Sequence, residues 1–291
     1  MMILEASSAP VTNLAFSDDG ELFAAGSHDG SARIWDLAGE CVRTWNVANL
    51  EQKTAVAFQP RNHQLVSACK RQIDLHSWEQ ALPDEVISPA PGSATCAKFI
   101  SNELLVIATG KGHEGNVGGY YLYDVVKRVP KLPIQHEPYG VPSLDVHLPS
   151  KTIVWCTGNK LLRWATITKP GFSEMRLGQS GASVSLHPSG KSIAVAIDWK
   201  VRTFDMPSRT ERQMFTGHKG IVTSVAYHVD GSRLASGSWD ETVRIWDTNA
   251  GVELACFEWK IGRIHCVAYS PDGTRIAAGS ERGIIAIWDA I

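Results

Sequence analysis

The chain has 291 residues, 44% apolar and 20% charged, a balance that supports a packed globular core of one large domain or two ordinary ones. Its net charge of −2 disfavours broad electrostatic binding to nucleic acid or to an anionic membrane. No apolar run approaches the ~20 residues that span a bilayer.

The N-terminal stretch MMILEASSAP has no basic leader region and too short an apolar stretch for a signal peptide, so the expected location is cytoplasmic. From there the chain repeats itself. The successive units read VTNLAF–LFAAGS–SARIWD, KTAVAF–QLVSAC–QIDLHS, SATCAKF–LLVIATG–YYLYD and PSLDVHL–TIVWCTG–LLRWAT. They continue as ASVSLH–SIAVAI–VRTFD, VTSVAY–RLASGS–TVRIWD and IHCVAY–RIAAGS–IIAIWD. The anchors Phe16, Phe58, Phe99, Val146, Leu186, Tyr227 and Tyr269 lie 42, 41, 47, 40, 41 and 42 residues apart. Each unit carries alternating apolar strands between polar turns, and a more variable strand closes it. No segment sustains a 3.6-residue apolar period. Short strands at even spacing give an all-β repeat architecture.

The third strands end in Trp35-Asp36, Trp246-Asp247 and Trp288-Asp289. Tyr123-Asp124 and Phe204-Asp205 keep that ending in altered form, whereas His76-Ser77 and Ala165-Thr166 have lost it. On these endings and this period the sequence resembles the WD40-repeat β-propellers. The resemblance implies a seven-bladed propeller with four antiparallel strands per blade, formed as a single domain over residues 1–291. It also implies that the N-terminal strand, at about residues 2–6, completes the last blade. In each regular blade it implies a hydrogen-bonded set of turn Asp, loop His, strand Ser and strand Trp. In blade 6 these are Asp240, His218, Ser236 and Trp246. Blade 1 has Ala25 at the Ser position, and blade 7 has Lys260 and Arg282 at the His and Asp positions.

Lys98 and Asp145 occupy equivalent inner-strand positions of blades 3 and 4, where a structural ion pair is expected because an unpaired buried charge is costly. The six cysteines (41, 69, 96, 156, 256 and 266) show no CxxC pair and are expected to be buried small hydrophobes. His147, His187 and His228 fall at equivalent turn positions around a ring and do not converge. No metal site, cofactor or catalytic residue is therefore expected, and the chain is not expected to be an enzyme. GKGHEGNVGG (Gly110–Gly119) lies between two strands and reads as a turn or a recognition loop. The KRVPKLP run of blade 3 blunts an outer edge with charge and proline.

In the WD40 family the top loops around the channel mouth commonly bind peptides or protein surfaces. Trp199, Trp239 and Trp259 fall on top loops of blades 5, 6 and 7, with Ile221, Arg263 and His265 on the same face and His28 and His113 on other top turns. Tryptophan and arginine are enriched at binding hot spots. The expected function is a non-catalytic scaffold for a peptide or protein partner, acting in a complex, with neither nucleic acid nor membrane as partner. Two alternatives remain open at this stage. One is a substrate-recognition subunit of a larger modifying complex, the other a small-molecule-binding or enzymatic propeller using the central channel.

Overall fold

The computed structural model describes residues 1–46, 53–61, 64–69, 72–78, 85–88, 93–110, 118–131, 135–169 and 171–290. These residues form seven antiparallel sheets in a ring and no helix. The inner strands, from blade 1 to blade 7, are Val11–Phe16, Ala55–Phe58, Ala94–Phe99, Ser143–His147, Gly181–Leu186, Val222–Tyr227 and Ile264–Tyr269. Six of the sheets have four strands. In blade 3 the outermost strand is split into two short pieces, Val129–Pro130 and Gln135–Glu137, which both pair with Gly118–Asp124.

The last blade is closed by the first strand. Met2–Glu5 runs antiparallel to Ile284–Asp289, with Ile3 opposite Ala286 and Leu4 opposite Ile285. The unpaired edge of the seventh sheet is thereby covered by main-chain hydrogen bonds, and the two ends of the ring are joined.

Burial follows the strand order. The second strand of each blade is enclosed on both faces and reads as a continuous apolar or small-residue run, as in Leu234–Ser238 and Ile276–Ser280. The core lies between blades: Ala194, Ala196, Val201 and Phe215 of blade 5 pack against Val222, Val225, Leu234 and Trp246 of blade 6. Each of the larger aliphatic and phenylalanine side chains contributes roughly 1.5–3 kcal/mol by leaving water. The Asp that follows the strand Trp has a local task. Asp247 accepts the amides of Asn249 and Ala250 (both 2.8 Å), and Asp36 accepts those of Ala38 (3.0 Å) and Glu40 (2.8 Å). Each carboxylate thus fixes the turn to the outer strand.

Neighbouring blades are also stitched by polar side chains on the inner strands. The amide of Val56 donates to Asn13 Oδ1 (3.0 Å), Val184 to Ser143 Oγ (3.2 Å), Val225 to Ser183 Oγ (3.2 Å) and Val267 to Ser224 Oγ (3.0 Å). Cys96 and Cys266 occupy the same layer and donate to Leu144 O (3.4 Å) and Val11 O (3.7 Å). A β-bulge near the top of the inner strand occurs in blades 1, 3, 5, 6 and 7. It turns Thr12 and Thr223 toward the next blade, where they donate to Thr54 O (3.0 Å) and Ile264 O (2.7 Å).

On the bottom face the three equivalent histidines act between blades. His147 Nε2 donates to Pro188 O (2.8 Å) and His228 Nε2 to Gly273 O (3.0 Å), while the His187 ring lies against Gly231. Gly231 and Gly273 have φ of 76° and 74°, and a Cβ on either would strike the histidine ring.

Two sequence expectations need correction. Cys41 and Cys256 lie on outer strands and are exposed; the other four cysteines are buried. Among the described residues no ion pair joins Lys98 to Asp145. Asp145 Oδ2 instead accepts the Leu186 amide of blade 5 at 2.8 Å, and Lys98 is exposed on the channel wall. The equivalent hydroxyl in the next blade, Ser185 Oγ, accepts the Tyr227 amide (3.1 Å), so this position serves the blade-to-blade stitching. Lys98 faces water in the channel and needs no counter-charge.

Candidate interaction surface on the top face

Blade 6 carries a continuous polar chain from sheet to turn. Trp246 Nε1 donates to Ser236 Oγ (2.8 Å), Ser236 is 2.8 Å from His218 Nε2, and His218 Nδ1 is 2.9 Å from Asp240 Oδ2. The polarity closes if the Ser hydroxyl donates to Nε2 and Nδ1–H donates to the carboxylate. Asp240 also accepts the Lys219 amide (2.8 Å) and the Thr242 hydroxyl (2.6 Å). Burial opposes ionisation of this carboxyl, but the hydrogen bonds from His218, Thr242 and Lys219 outweigh it and hold its pKa well below the usual range. The constellation resembles a hydrolytic triad only in composition: Ser236 is 0% exposed and already accepts the Trp246 indole.

The consequence of this chain is a rigid turn at the top of blade 6. Asp240 fixes the turn from below, and the Trp239 amide donates to Ile221 O (2.9 Å). Trp239 is left 40% exposed, and the guanidinium of Arg263 sits 5.4 Å from its ring centroid. Arg263 is held in turn by Glu281 of blade 7, through an ion pair at 3.9 Å and its own amide at 3.3 Å. His265 takes the bulge position next along the strand. Burial pushes its pKa down and Lys53 adds to this, as do Arg263 and His28, against Glu281. Ile221 is exposed beside the Trp239 turn.

The three tryptophans expected on this face do not form one patch. Trp199 is 57% exposed but lines a hollow on blade 5 with Met214 and Arg202. Trp259 turns inward: its ring stacks on Phe257 (5.2 Å, 8° between planes) and packs at 4.0 Å from Trp288. It occupies the position where blade 6 has Gly217 and packs, half-buried, against the core of blade 7. His113 lies outside the described residues. His28 is half-buried on the top turn of blade 1.

The family description "WD domain, G-beta repeat" matches residues 1–36, 209–247 and 254–289. Those spans hold the closing strand with most of blade 1, the outer strand of blade 5 with most of blade 6, and most of blade 7. The chain folds as a seven-bladed propeller, and the matched blades carry the WD40 repeat. It is 23% identical to the ribosome biogenesis protein BOP1 homolog of Oryza sativa subsp. japonica, over 81% of this chain and 40% of that protein. With the homolog of the same name from Arabidopsis thaliana it shares 26% identity over 80% of this chain and 36% of that protein. A guanine nucleotide-binding protein subunit beta of Schizosaccharomyces pombe is 39% identical over 21% of this chain and 20% of its own length. The chain thus spans less than half the length of these relatives. The naming of the BOP1 homologs for ribosome biogenesis overturns the cytoplasmic expectation, because it points away from a purely cytoplasmic protein.

Other blades, both inside and outside the matched spans, close with other residues or go without. In blade 1, Ser7 stands at the loop-His position and donates directly to Asp29 (2.5 Å). In blade 2, His76 replaces the strand Trp and lies 2.7 Å from Ser67. Blade 4 has been rebuilt, a feature the sequence reading missed. Glu137 takes the loop-His position, Trp155 the Ser position and Ala165 the Trp position. The indole of Trp155 donates to Glu137 Oε1 (2.9 Å), and Arg163 Nη1 donates to the same carboxylate at 2.6 and 2.7 Å. Glu137 is 3% exposed and Trp155 1%. The signal was available: Glu137 lies seven residues before Leu144, near the offset of His218 from Val225. Blade 7 goes without. Ala278 stands at the Ser position, and the buried indole nitrogen of Trp288 has no hydrogen-bond partner among the described residues.

Proposed function

We propose that this WD40 propeller is a non-catalytic scaffold that binds a protein or peptide on the top of blades 6 and 7, within a larger assembly. The observation that carries the reading is Trp239, exposed on a turn that Asp240 fixes and capped by an Arg263 that Glu281 orients. Exposed indole and guanidinium groups held in a preset geometry lose little entropy on binding, and they are the side chains that dominate interface energies. The relatives named for ribosome biogenesis, and the one named as a G-protein subunit, support a role among other proteins. The burial of Ser236 supports a structural use of the one His–Asp–Ser set described.

Affinity isolation from native lysate, comparing wild type with Trp239→Ala/Arg263→Ala at matched melting temperature, tests the reading. A stoichiometric partner held by wild type and reduced at least tenfold in the variant supports it. Equal recovery by both proteins removes this face from consideration.

A further inference from the structure

A second surface lies away from the channel mouth, on the upper rim of blades 4 and 5. Two hollows flank the connection between these blades. The larger, about 560 Å³, is walled by Trp199 and Met214, which are 57% and 50% exposed. The smaller, about 270 Å³, lies between Lys160, Leu161 and Arg176. They share one wall. The Leu177 amide donates to Lys160 O (2.9 Å) on one side, and its carbonyl accepts Arg202 Nη1 (2.9 Å) on the other. Gly178 lines the smaller hollow and Gln179 the larger.

The charge of this rim is one-sided. Lys160, Arg176, Lys200 and Arg202 line the two hollows, against the carboxylates Asp198 and Glu211. Glu211 is paired with Arg202, whereas Asp198 accepts from the neutral Gln179 amide and keeps its charge, so the four cations exceed the carboxylates by two. Lys160, Arg176 and Lys200 are exposed and, among the described residues, make no ion pair. Large apolar side chains beside uncompensated cations, in a protein whose net charge is −2, mark a surface suited to an acidic, partly apolar chain.

We propose that the upper rim of blades 4 and 5 docks an extended acidic peptide segment. One apolar side chain of the segment enters the larger hollow between Trp199 and Met214. Its carboxylates lie across the Leu177–Gln179 wall, against Lys160 and Arg176. The site goes beyond the blade 6–7 surface and is independent of Trp239 and Arg263. A single-stranded nucleic acid is the less favoured occupant, because the cations are few and two carboxylates line the larger hollow.

The test uses an array of twelve-residue peptides, each with Glu at most positions and a central Leu, Met or Phe, beside counterparts with Lys for every Glu. The whole protein is the probe, and the strongest acidic peptide is then titrated by fluorescence anisotropy next to a labelled oligouridine. The proposal expects at least tenfold preference for the acidic set, weakening as salt rises. It expects that preference to be lost in Lys160→Glu/Arg176→Glu, the apolar anchor effect to be lost in Met214→Asp, and both to be unchanged in Trp239→Ala/Arg263→Ala. Matched melting curves exclude misfolding, and the last variant separates this site from the blade 6–7 reading. Equal binding of acidic and basic peptides overturns the proposal. So does an acidic preference that survives the charge reversal, or oligouridine binding tighter than the best peptide.

Discussion

Blades 6 and 4 solve one problem with opposite assignments. Both must tie the top loop to the middle of the sheet through a buried indole. In blade 6 the indole comes from the third strand, the hydroxyl from the second, and the charge sits in the turn at Asp240. In blade 4 the indole has moved to the second strand as Trp155, and the charge to the loop as Glu137. Arg163 on the third strand now neutralises that charge. The requirement is a closed path of donors and acceptors between loop and sheet, and the residue types are interchangeable provided each buried polar atom finds a partner.

The two solutions differ most in what happens when one member is removed. Arg163→Met in blade 4 leaves Glu137 buried with only the Trp155 indole as partner, and the expected cost is about 3 kcal/mol. Adding Glu137→Gln, which keeps an acceptor for the indole while removing the charge, should recover most of that loss. Urea denaturation of the single and double variants reads both values. If the double variant is no better than the single, the carboxylate does not carry the cost and the comparison between blades fails.

In blade 6, Ser236→Ala strips the acceptor from Trp246 and the partner from His218 Nε2 at once. The expected cost is about 2 kcal/mol, below that of Arg163→Met because no net charge is stranded. A loss larger than in blade 4 would mean that the Asp240–His218 end depends on Ser236 for more than geometry.

How much of this was legible follows from the same contrast. The 40-residue period and the alternating strands could be read directly, because spacing and burial are one-dimensional signals. The blade 6 set could be read because each member keeps its usual residue type at its usual place. In blade 4 only the spacing of Glu137 was legible, since the exchange of roles between two strands becomes visible once register sets Trp155 and Ala165 against Ser236 and Trp246. Trp259 misled for a related reason: a tryptophan in a top loop looks free until its ring is seen to pack, half-buried, on Phe257 and Trp288. Lys98 and Asp145 were paired by opposite charge at equivalent positions of adjacent blades, and a backbone amide proved the better partner for the carboxylate.

The bottom face gives a smaller, pH-dependent contrast. Burial pushes the His187 pKa down, against a hydrogen bond to Gly231. A histidine with a depressed folded pKa favours the neutral form, so its contribution is fully present above the unfolded value of about 6.5 and is lost as the pH falls below it. Melting temperatures of wild type and His187→Gln should therefore converge on going from pH 7.5 to pH 5.5, by a fraction of the Ser236→Ala effect. A constant difference across that range would show that the ring holds blades 5 and 6 by packing alone.

The smallest expected effect completes the comparison by building where the others remove. Trp288 occupies in blade 7 the place of Trp246, but Ala278 stands where Ser236 would accept its indole. The position is enclosed, and the residue opposite it on the third strand is the small Ala286. Ala278→Ser therefore supplies an acceptor at the point where blade 6 has one. The gain is about 0.5 kcal/mol, since the new hydrogen bond is offset by burying a hydroxyl whose own proton finds no His218 equivalent, blade 7 having Lys260 there. Restoring that partner with Lys260→His should raise the gain, and the two substitutions together should exceed the sum of each alone. Additive or destabilising results would mean that the stacked Phe257 and Trp259 rings already fix Trp288, and that blade 7 has replaced the polar closure with an aromatic one.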